Sequence, residues 1–391
     1  MSRFEPALRR EPAPDLDVGH EPELVDRIRA EIEATGPITF ARFMERALYE
    51  PELGYYTSGR PGPGRQGDFI TAPETHPIFG RAIARQLDDA WQLLDRPGTF
   101  VVREHGAGSG ALATAILDGL DADGSGLAKA IRYEPVEADP RQADAIVNRL
   151  RAAGRPAVSP TAGAFVGAVV ANEVLDALPV HAVAWRDGRL RERLVSWHAG
   201  RFVEVEAEPT TPALAERLAT EGVELRERQL AEICLALDSW MARVAAPLER
   251  GLVLIVDYGH PATQLYGPRR MAGSLRAYLR QRVHDDPFAN VGRQDLTSHV
   301  DLTAVDRAAR AAGLEALGVT TQAEFLVSLG MDDVVAAMRD AEASLEDALA
   351  LRSSLARLLD PAMTGSFKVM AFGRGLPEAA SLRGMRFRLR R

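Results

Sequence analysis

Cysteine is almost absent from this chain, and so is lysine. Cys234 is the only cysteine in 391 residues, which excludes an internal disulfide and a zinc site built from cysteines. Apolar residues at helical spacing surround Cys234, so we expect a buried structural thiol in a helix rather than a nucleophile. Lysine occurs only at positions 129 and 368 among 47 basic residues, a bias toward arginine that we attribute to genomic base composition.

Long apolar runs and a positive net charge are also missing. No run approaches the ~18 apolar residues that a membrane-spanning helix requires, so we expect no membrane insertion. The formal net charge of −8 provides no overall positive field to attract nucleic acid. The first twenty residues are rich in proline and charge and lack the apolar core of a signal peptide. We therefore expect a disordered tail over residues 1–20 and a cytoplasmic protein.

Strand-like and helix-like segments alternate through most of the chain. Two amphipathic helices are predicted between residues 21 and 49, with Gly36 ending the first and Thr39 capping the second. Further along, apolar strand patterns alternate with helical ones, and a last strand, FKVMAFGR, comes near the end. This alternation is typical of a doubly wound α/β fold with a mostly parallel sheet.

The sequence divides into three parts. After the tail, residues 21–95 form an N-terminal helical region followed by a loop. Residues 96–391 form the α/β domain, which is interrupted by insertions at about 181–248 and 260–299. The first insertion is predicted to contain strands joined by the turns RDGR and HAGR and then long helices, whereas the second is irregular.

The stretch VVREHGAGSGALA, residues 101–113, carries the first functional signal. Gly106, Gly108 and Gly110 follow a predicted buried strand and precede a predicted helix. Such a turn brings bare main chain and amide groups against a bound cofactor. The same spacing occurs in NAD(P)-binding enzymes, so the glycines alone leave two cofactor classes open.

Acidic residues around this loop favour S-adenosylmethionine (SAM) over NAD(P). Glu104, two residues before Gly106, would repel a pyrophosphate but would suit a sulfonium ligand with a free α-amino group. Glu137, at the end of the next predicted strand, is placed to accept hydrogen bonds from the ribose hydroxyls of either cofactor. The strand near the end of the chain fits the seven-stranded, Rossmann-like sheet of class I SAM methyltransferases, in which the last strand inserts antiparallel.

Several motifs together make the chain resemble the MidA-like family of SAM-dependent methyltransferases. The resemblance spans about residues 22–375 and includes the motifs EHGAGSGALA (104–113) and VDYGHP (256–261). It is most specific in GDFITAPE (67–74) and NEVLDALPV (172–180). The family includes a mitochondrial complex I assembly factor that methylates an arginine of a respiratory-chain subunit. The resemblance therefore implies SAM as cofactor and a protein substrate, with a complex I subunit as one candidate and arginine as the expected acceptor.

Three positions depart from the pattern of the family. Its glycine loop commonly reads G-P-G-R/K-G, whereas Ala107 and Ser109 stand at the proline and basic positions here. Gln281 stands where the family often has histidine, which weakens a general-base role at that position. The three glycines and Glu104 are retained, so we expect the cofactor site to be retained as well.

The remaining cofactor-binding candidates come from two motifs. The GDFITAPE loop is expected to cover the cofactor, with Pro73 shaping it and Asp68 and Thr71 supplying polar contacts. A purely structural Ω-loop is the alternative. Asn172, which opens NEVLDALPV, is the other candidate, with the satisfaction of loop backbone groups as its alternative role.

The catalytic candidates are three carboxylates and one histidine. Carboxylates can grip a guanidinium bidentately and leave one nitrogen aimed at the methyl group. Glu173 and Asp176 directly follow an apolar strand and Asp257 ends another, at the edge where doubly wound sheets bind ligands. Capping of a short helix is the alternative for Asp176, and structural capping is the alternative for Asp257. His299 precedes a predicted helix and has Asp301 nearby, so it is either an active-site residue braced by a carboxylate or a capping histidine.

Two other functions stay open at this level. One is an NAD(P)-dependent oxidoreductase, and the other is a non-catalytic, SAM-binding assembly chaperone that uses the insertions to grip a partner. The histidines show no metal-ligand spacing, so we expect no metal site. We expect no nucleic acid partner, and a homodimer is a candidate assembly.

Overall fold

A computed structural model describes residues 16–59, 72–331, 345–377 and 381–387, with the side chains of 345–350 left out. These residues form two compact units, each built from distant segments of the chain. We call them the insertion unit and the sheet unit. The insertion unit contains the described residues of 1–69, 175–240 and 259–307, and the sheet unit contains those of 70–174, 241–258 and 308–391.

Strands and helices alternate along most of the described chain. The strands are β1 (Ile38–Thr39), β2 (Phe100–His105), β3 (Ile131–Val136), β4 (Phe165–Asn172), β5 (His181–Arg186), β6 (Arg189–His198), β7 (Arg201–Ala207), β8 (Leu230–Ile233), β9 (Leu248–Asp257), β10 (Gly259–His260), β11 (Arg276–Leu279), β12 (Arg282–His284), β13 (Asp295–Thr297), β14 (Val300–Asp301), β15 (Glu315–Thr321) and β16 (Lys368–Arg374). The helices are α1 (Pro22–Thr35), α2 (Phe40–Tyr49), α3 (Ala72–Thr75), α4 (Ile78–Leu93), α5 (Ala111–Ala122), α6 (Pro140–Ala152), α7 (Ala213–Thr220), α8 (Ala236–Ala245), α9 (Ala262–Leu265), α10 (Leu302–Ala311), α11 (Gln322–Ser328) and α12 (Leu345–Leu359).

The sheet unit contains a sheet of strand order β15-β16-β9-β4-β2-β3. The pairs among β3, β2, β4 and β9 are parallel, whereas β16 pairs antiparallel with both β9 and β15. Val169–Ala171 and Leu252–Val256 are fully buried without a break, as expected for parallel strands covered on both faces. The predicted doubly wound class and its antiparallel last strand are confirmed.

The expected seventh strand is reduced to a single bridge, so the sheet has six strands among the described residues. This bridge joins Tyr133 of β3 to Ala157. Tyr133 N donates to Pro156 O and Val158 N donates to Tyr133 O, each at 2.9 Å. Pro156 and Pro160 lack the amide hydrogens that a longer ladder would need, which limits this edge to one pair.

The insertion unit joins three segments that the sequence suggested were separate. Its main sheet has the order β1-β6-β5-β8, with β7 paired to the other edge of β6. Phe43 of α2 lies 5.3 Å from Phe202 of the first insertion and 5.1 Å from Phe288 of the second, measured between ring centroids. The N-terminal helices and both insertions therefore share one apolar core.

Some local predictions are confirmed and others are wrong. Thr39 Oγ1 accepts a hydrogen bond from Arg42 N at 3.0 Å and caps α2 as predicted. Cys234 does not lie in a helix, because the residues before it form β8, which pairs with β5. Burial raises the pKa of the Cys234 thiol to about 12, in keeping with a structural role.

The predicted disorder is wrong for the last residues of the tail, because Leu16 and Val18 pack in the insertion unit. Val18 N donates to Asn290 Oδ1 and Asn290 Nδ2 donates to Leu16 O, each at 2.9 Å. Residues 1–15 lie outside the described part of the chain. The described helices include none with the length and apolar character needed to cross a membrane.

We predict that Phe43→Ala lowers the free energy of unfolding by about 3–5 kcal/mol, the usual cost of truncating a buried aromatic side chain. Phe43 is fully buried, and the loss would leave a cavity lined by other rings. Urea denaturation followed by tryptophan fluorescence measures this change. Val283→Ala, at an exposed position, is the control, and a loss below about 1 kcal/mol for Phe43→Ala would contradict the shared core.

Candidate active site

The loop between β2 and α5 has a left-handed backbone at its three glycines. The φ angle is +69° at Gly106, +55° at Gly108 and +73° at Gly110, a region that L side chains adopt only with strain. Gly106 N donates to Val136 O at 2.9 Å, and Gly110 N donates to Ala107 O at 2.8 Å. The loop therefore presents bare main chain at the carboxyl end of the parallel strands.

The three glycines differ in what lies beside them. A Cβ on Gly106 would lie 2.7 Å from Val174 Cγ2, and a Cβ on Gly110 would lie 2.6 Å from Arg149 Nη2. A Cβ on Gly108 would meet no described heavy atom within 4 Å. The outer glycines thus make room for the protein itself, whereas the main chain at Gly108 has space for a ligand.

Glu104 is a buried carboxyl group at the end of β2, next to this loop. Tyr133 donates its hydroxyl to Glu104 Oε2 at 2.8 Å. Burial, reinforced by the nearby Glu137, raises the pKa of Glu104 to about 8 even though the Tyr133 bond opposes the shift. A positively charged ligand would offset the cost of burying this charge, so Glu104 suits a cationic group better than a phosphate.

Glu137 follows β3 and is hydrogen-bonded to the same loop. Its Oε1 accepts from Gly108 N, and its Oε2 accepts from Ala138 N at 3.3 Å. Burial raises the pKa of Glu137 as well. Glu137 is thereby tied to the glycine that faces open space, while its predicted bonds to ribose hydroxyls stay a prediction.

Glu173 has a left-handed backbone, with φ at +52°, which is strained for a residue with a side chain. Glu173 N donates to Val256 O of β9 at 2.8 Å, which fixes the chain where β4 ends. Glu173 Oε1 accepts from Asn172 Nδ2 at 3.1 Å and from Ala72 N at 3.4 Å. Backbone strain held in place by its surroundings commonly occurs at functional positions.

Asp257 is fully buried and braces the main chain beside Glu173. Its Oδ2 accepts from Val174 N at 3.2 Å, and its Oδ1 accepts from Tyr258 N at 2.8 Å. These bonds connect the turn after β4 to the end of β9. They favour the capping alternative for Asp257, and a direct contact with substrate stays a prediction.

The predicted cofactor-covering loop lies only partly in the described residues. Asp68 and Thr71 fall outside them. Pro73 is buried in α3, and Glu74 Oε1 accepts a hydrogen bond from Ser109 Oγ at 3.0 Å. The last residues of the loop motif therefore border the glycine loop, which agrees with a covering role.

Two catalytic candidates, Asp176 and His299, belong to the insertion unit. Asp176 is buried, and its carbonyl oxygen accepts from Ser298 N at 2.9 Å. The His299 ring stacks on His260 with 5.6 Å between ring centroids. Burial, with the nearby positive charge of Arg270, lowers the pKa of His299 to about 4, which makes it a weak base at neutral pH. Their catalytic roles stay predictions.

The sequence reasoning missed two residues of the glycine-loop region. Tyr133 supports Glu104, and a tyrosine inside a buried strand was a usable signal because its hydroxyl needs a partner. Arg149 of α6 donates from Nη2 to Ser109 O, and no sequence pattern connects it to the loop. The described residues include no group of three or more histidine, cysteine, aspartate or glutamate side chains that could hold a metal ion.

A family model for SAM-dependent methyltransferases matches residues 82–320, which is more than half of the chain. The chain belongs to the MidA-like family of SAM-dependent methyltransferases. The match includes the glycine loop, NEVLDALPV and VDYGHP, whereas GDFITAPE, at residues 67–74, lies before it.

Curated relatives of this chain are named for the residue that they methylate, which the family description does not specify. The mitochondrial protein arginine methyltransferase NDUFAF7 homolog of Drosophila melanogaster is 29% identical over 95% of this chain and 89% of its own length. The mitochondrial protein arginine methyltransferase NDUFAF7 of Homo sapiens is 29% identical over 77% of this chain and 72% of its own length.

Solved structures of the same superfamily identify the cofactor. A protein from Burkholderia thailandensis, crystallised with S-adenosyl-homocysteine (SAH), is 36% identical with a TM-score of 0.82, over 96% of this chain and 97% of that one. A native structure from the same organism is 36% identical with a TM-score of 0.81. The cofactor is SAM, and the NAD(P)-dependent oxidoreductase that we left open is wrong.

Three residues of the sheet unit are candidates for binding SAM. We propose that the open main chain at Gly108 contacts the cofactor, that Glu104 faces its positive end and that Glu137 binds its ribose. When bound, SAM supplies a methyl group on a sulfonium that is already activated for displacement. The protein then has to position the two reactants and exclude water.

We predict that Gly108→Val abolishes SAH binding, because a branched side chain would fill the space beside the loop. Gly154→Val is a matched control, since Gly154 has φ at +74° and its Cβ would also meet nothing within 4 Å of the described atoms. Both variants carry a similar backbone strain of about 1–2 kcal/mol. Calorimetric titration with SAH and thermal unfolding separate the effects, and tight SAH binding by Gly108→Val would contradict the loop assignment.

We also predict a pH dependence of SAH affinity that comes from Glu104. Because its pKa is about 8 in the ligand-free protein, the carboxyl is neutral below that pH and must lose a proton to face the ammonium of SAH. Affinity should therefore rise with pH between 6 and 7.5, by up to about tenfold per unit. The ligand-free protein should lose stability as pH rises through 8, because its folded state favours the neutral acid.

Glu104→Gln is the control for this pH dependence. It keeps the size of the side chain and an oxygen that can accept from Tyr133, but it has no proton to release. Its SAH affinity should be lower and nearly flat over the same pH range. An equal slope in Glu104→Gln would assign the titration to another group, such as Glu137.

Proposed function

We propose that this methyltransferase acts on an arginine side chain of a protein. The fly and human relatives are named protein arginine methyltransferases, which supports the same acceptor here. The chemistry of the sheet unit also supports it, because Glu173 places an acidic group at the end of β4, in the turn whose Val174 packs against Gly106 of the glycine loop. An acidic site attracts a guanidinium group and repels a phosphate.

Arginine is a demanding acceptor because its guanidinium is protonated at any physiological pH. The transfer is an in-line displacement: a nitrogen lone pair forms the new N–C bond, the C–S bond breaks, and its electron pair stays on sulfur. The nitrogen loses a proton to solvent or a nearby base. A carboxylate that grips the other two nitrogens concentrates positive charge there and frees the lone pair of the third.

The position of Glu173 at the end of β4, with a strained backbone, is the observation that carries the proposal. Its strained backbone projects the residue from the end of β4, where the neighbouring Val174 lies against Gly106. Glu173 Oε1 accepts hydrogen bonds from Asn172 Nδ2 and Ala72 N, which orient the carboxylate. We assign to Glu173 the grip on the guanidinium, with Asp176 and Asp257 as further candidate carboxylates and His299 as a candidate bracing residue.

The candidate partner comes from the family resemblance. A subunit of respiratory complex I is the candidate substrate, because the resemblance includes an assembly factor of that complex. The fly and human relatives are named mitochondrial, and our expectation of a cytoplasmic location stays a prediction. A homodimer also stays a prediction.

We predict that Glu173→Gln lowers kcat by about 100-fold or more, the usual scale for removing an electrostatic contact to the reacting group. Glutamine keeps the oxygen that accepts from Asn172, so SAH affinity should stay within about twofold of the wild type. Glu249→Gln, at an exposed position of the same unit, is the control. Unchanged turnover in Glu173→Gln would remove it from the catalytic set.

The acceptor itself is identified by labelled methyl transfer. Purified enzyme and SAM with a labelled methyl group are added to a lysate of cells that lack this protein, and the labelled products are analysed by mass spectrometry. Label on an arginine nitrogen of a protein supports the proposal. Label only on lysine, on nucleic acid or on a small molecule would overturn it.

A further inference from the structure

Two charged side chains hold the glycine loop from outside. Glu137 accepts from Gly108 N, and Arg149 Nη2 of α6 donates to Ser109 O. The carboxylate thus meets an N–H group and the guanidinium meets a C=O group, so each charge matches the end of the peptide dipole that it touches. Hydrogen bonds of this charge-assisted kind are stronger than those between neutral groups.

Gly110 is what allows Arg149 to reach the loop. A Cβ at Gly110 would lie 2.6 Å from Arg149 Nη2 and 3.0 Å from Ile146 Cγ2. The third glycine of the motif therefore makes room for two side chains of α6. This close approach connects α6 to the loop although the two are about 40 residues apart in sequence.

The loop needs such support because its sequence does little to fix its conformation. Three left-handed glycines give the chain much conformational freedom in the absence of contacts. A ligand that binds a mobile loop must order it first, and that cost lowers affinity. Contacts that fix the peptides on either side of Gly108 and Ser109 beforehand reduce this cost.

We propose that Arg149 is a positioning residue for the cofactor, which holds the Ser109 carbonyl so that the main chain at Gly108 is set for SAM before it binds. This inference depends on the assignment of the loop to the cofactor. Arg149 itself is not a catalytic residue. Its side chain is exposed, so its removal changes the loop with little effect on the core.

The test measures SAH affinity by calorimetry in the full chain. Arg149→Ala should raise the Kd for SAH about tenfold, as expected for losing a hydrogen bond from a charged group. Arg149→Lys should recover part of the affinity, because an ammonium group can also donate to a carbonyl. Arg151→Ala is the matched control: Arg151 lies in the same helix and donates from Nε to a main-chain carbonyl, Ala157 O, at 2.8 Å.

Gly110→Ala provides a second, independent variant. In the wild type its Cβ should displace Arg149 and weaken SAH binding. In the Arg149→Ala background the same substitution should weaken binding less, because the clash with the guanidinium is gone. Equal effects in the two backgrounds would contradict the link between Gly110 and Arg149.

Wild-type SAH affinity in Arg149→Ala, or an equal loss in Arg151→Ala, would overturn the proposal. Thermal unfolding of each variant separates a loss of fold from a loss of affinity. If Gly108→Val abolishes binding while Arg149→Ala does not, the cofactor loop is correctly assigned and only this inference fails. If Gly108→Val binds SAH normally, the loop assignment itself fails.

Discussion

The close packing of Gly106 against Val174 is the contact on which the site in the sheet unit depends. It brings the turn after β2 and the turn after β4 together, because no side chain separates them. Val174 is held there by Asp257, and the preceding residue, Glu173, takes its strained backbone at the same turn. The cofactor loop and the proposed catalytic carboxylate are therefore fixed by one piece of packing, and a change at Gly106 would disturb both.

Burial raises the pKa values of two carboxyl groups beside the glycine loop. Glu104 and Glu137 have raised pKa values because water has been removed from them, and each also accepts hydrogen bonds that stabilise its charged form. In both groups, burial therefore favours the neutral acid and the hydrogen bonds favour the carboxylate. A cationic cofactor would also favour the carboxylate, which supports the proposed contact of this loop with SAM rather than with a dinucleotide of the same glycine spacing.

Features that depend on neighbouring residues were predicted correctly from the sequence. The predictions failed where contacts between residues distant in sequence determine the structure. The apolar runs of β4 and β9 and the cap at Thr39 could be recognised because their causes are local. The strand before Cys234 was misread as helix, since four apolar-rich residues fit either period and only pairing with β5 selects the strand. The contacts of Arg149 with the loop have no local sequence signal, and the same holds for the clustering of Phe43 with the two insertions.

The two acids of the motif NEVLDALPV, Glu173 and Asp176, lie in different units. The boundary between the two units falls between Val174 and Leu175, so Glu173 belongs to the sheet unit and Asp176 to the insertion unit. In the insertion unit, the carbonyl of Asp176 accepts from Ser298 N, and the carbonyl of Ala177 accepts from the Tyr49 hydroxyl. Those bonds anchor the start of the inserted chain, whereas the bond from Glu173 N to Val256 O fixes the end of β4. Of the two acids in the motif, only Glu173 combines a left-handed backbone with a carboxyl group that accepts from Ala72 N, and for this reason we propose Glu173 rather than Asp176 as the catalytic carboxylate.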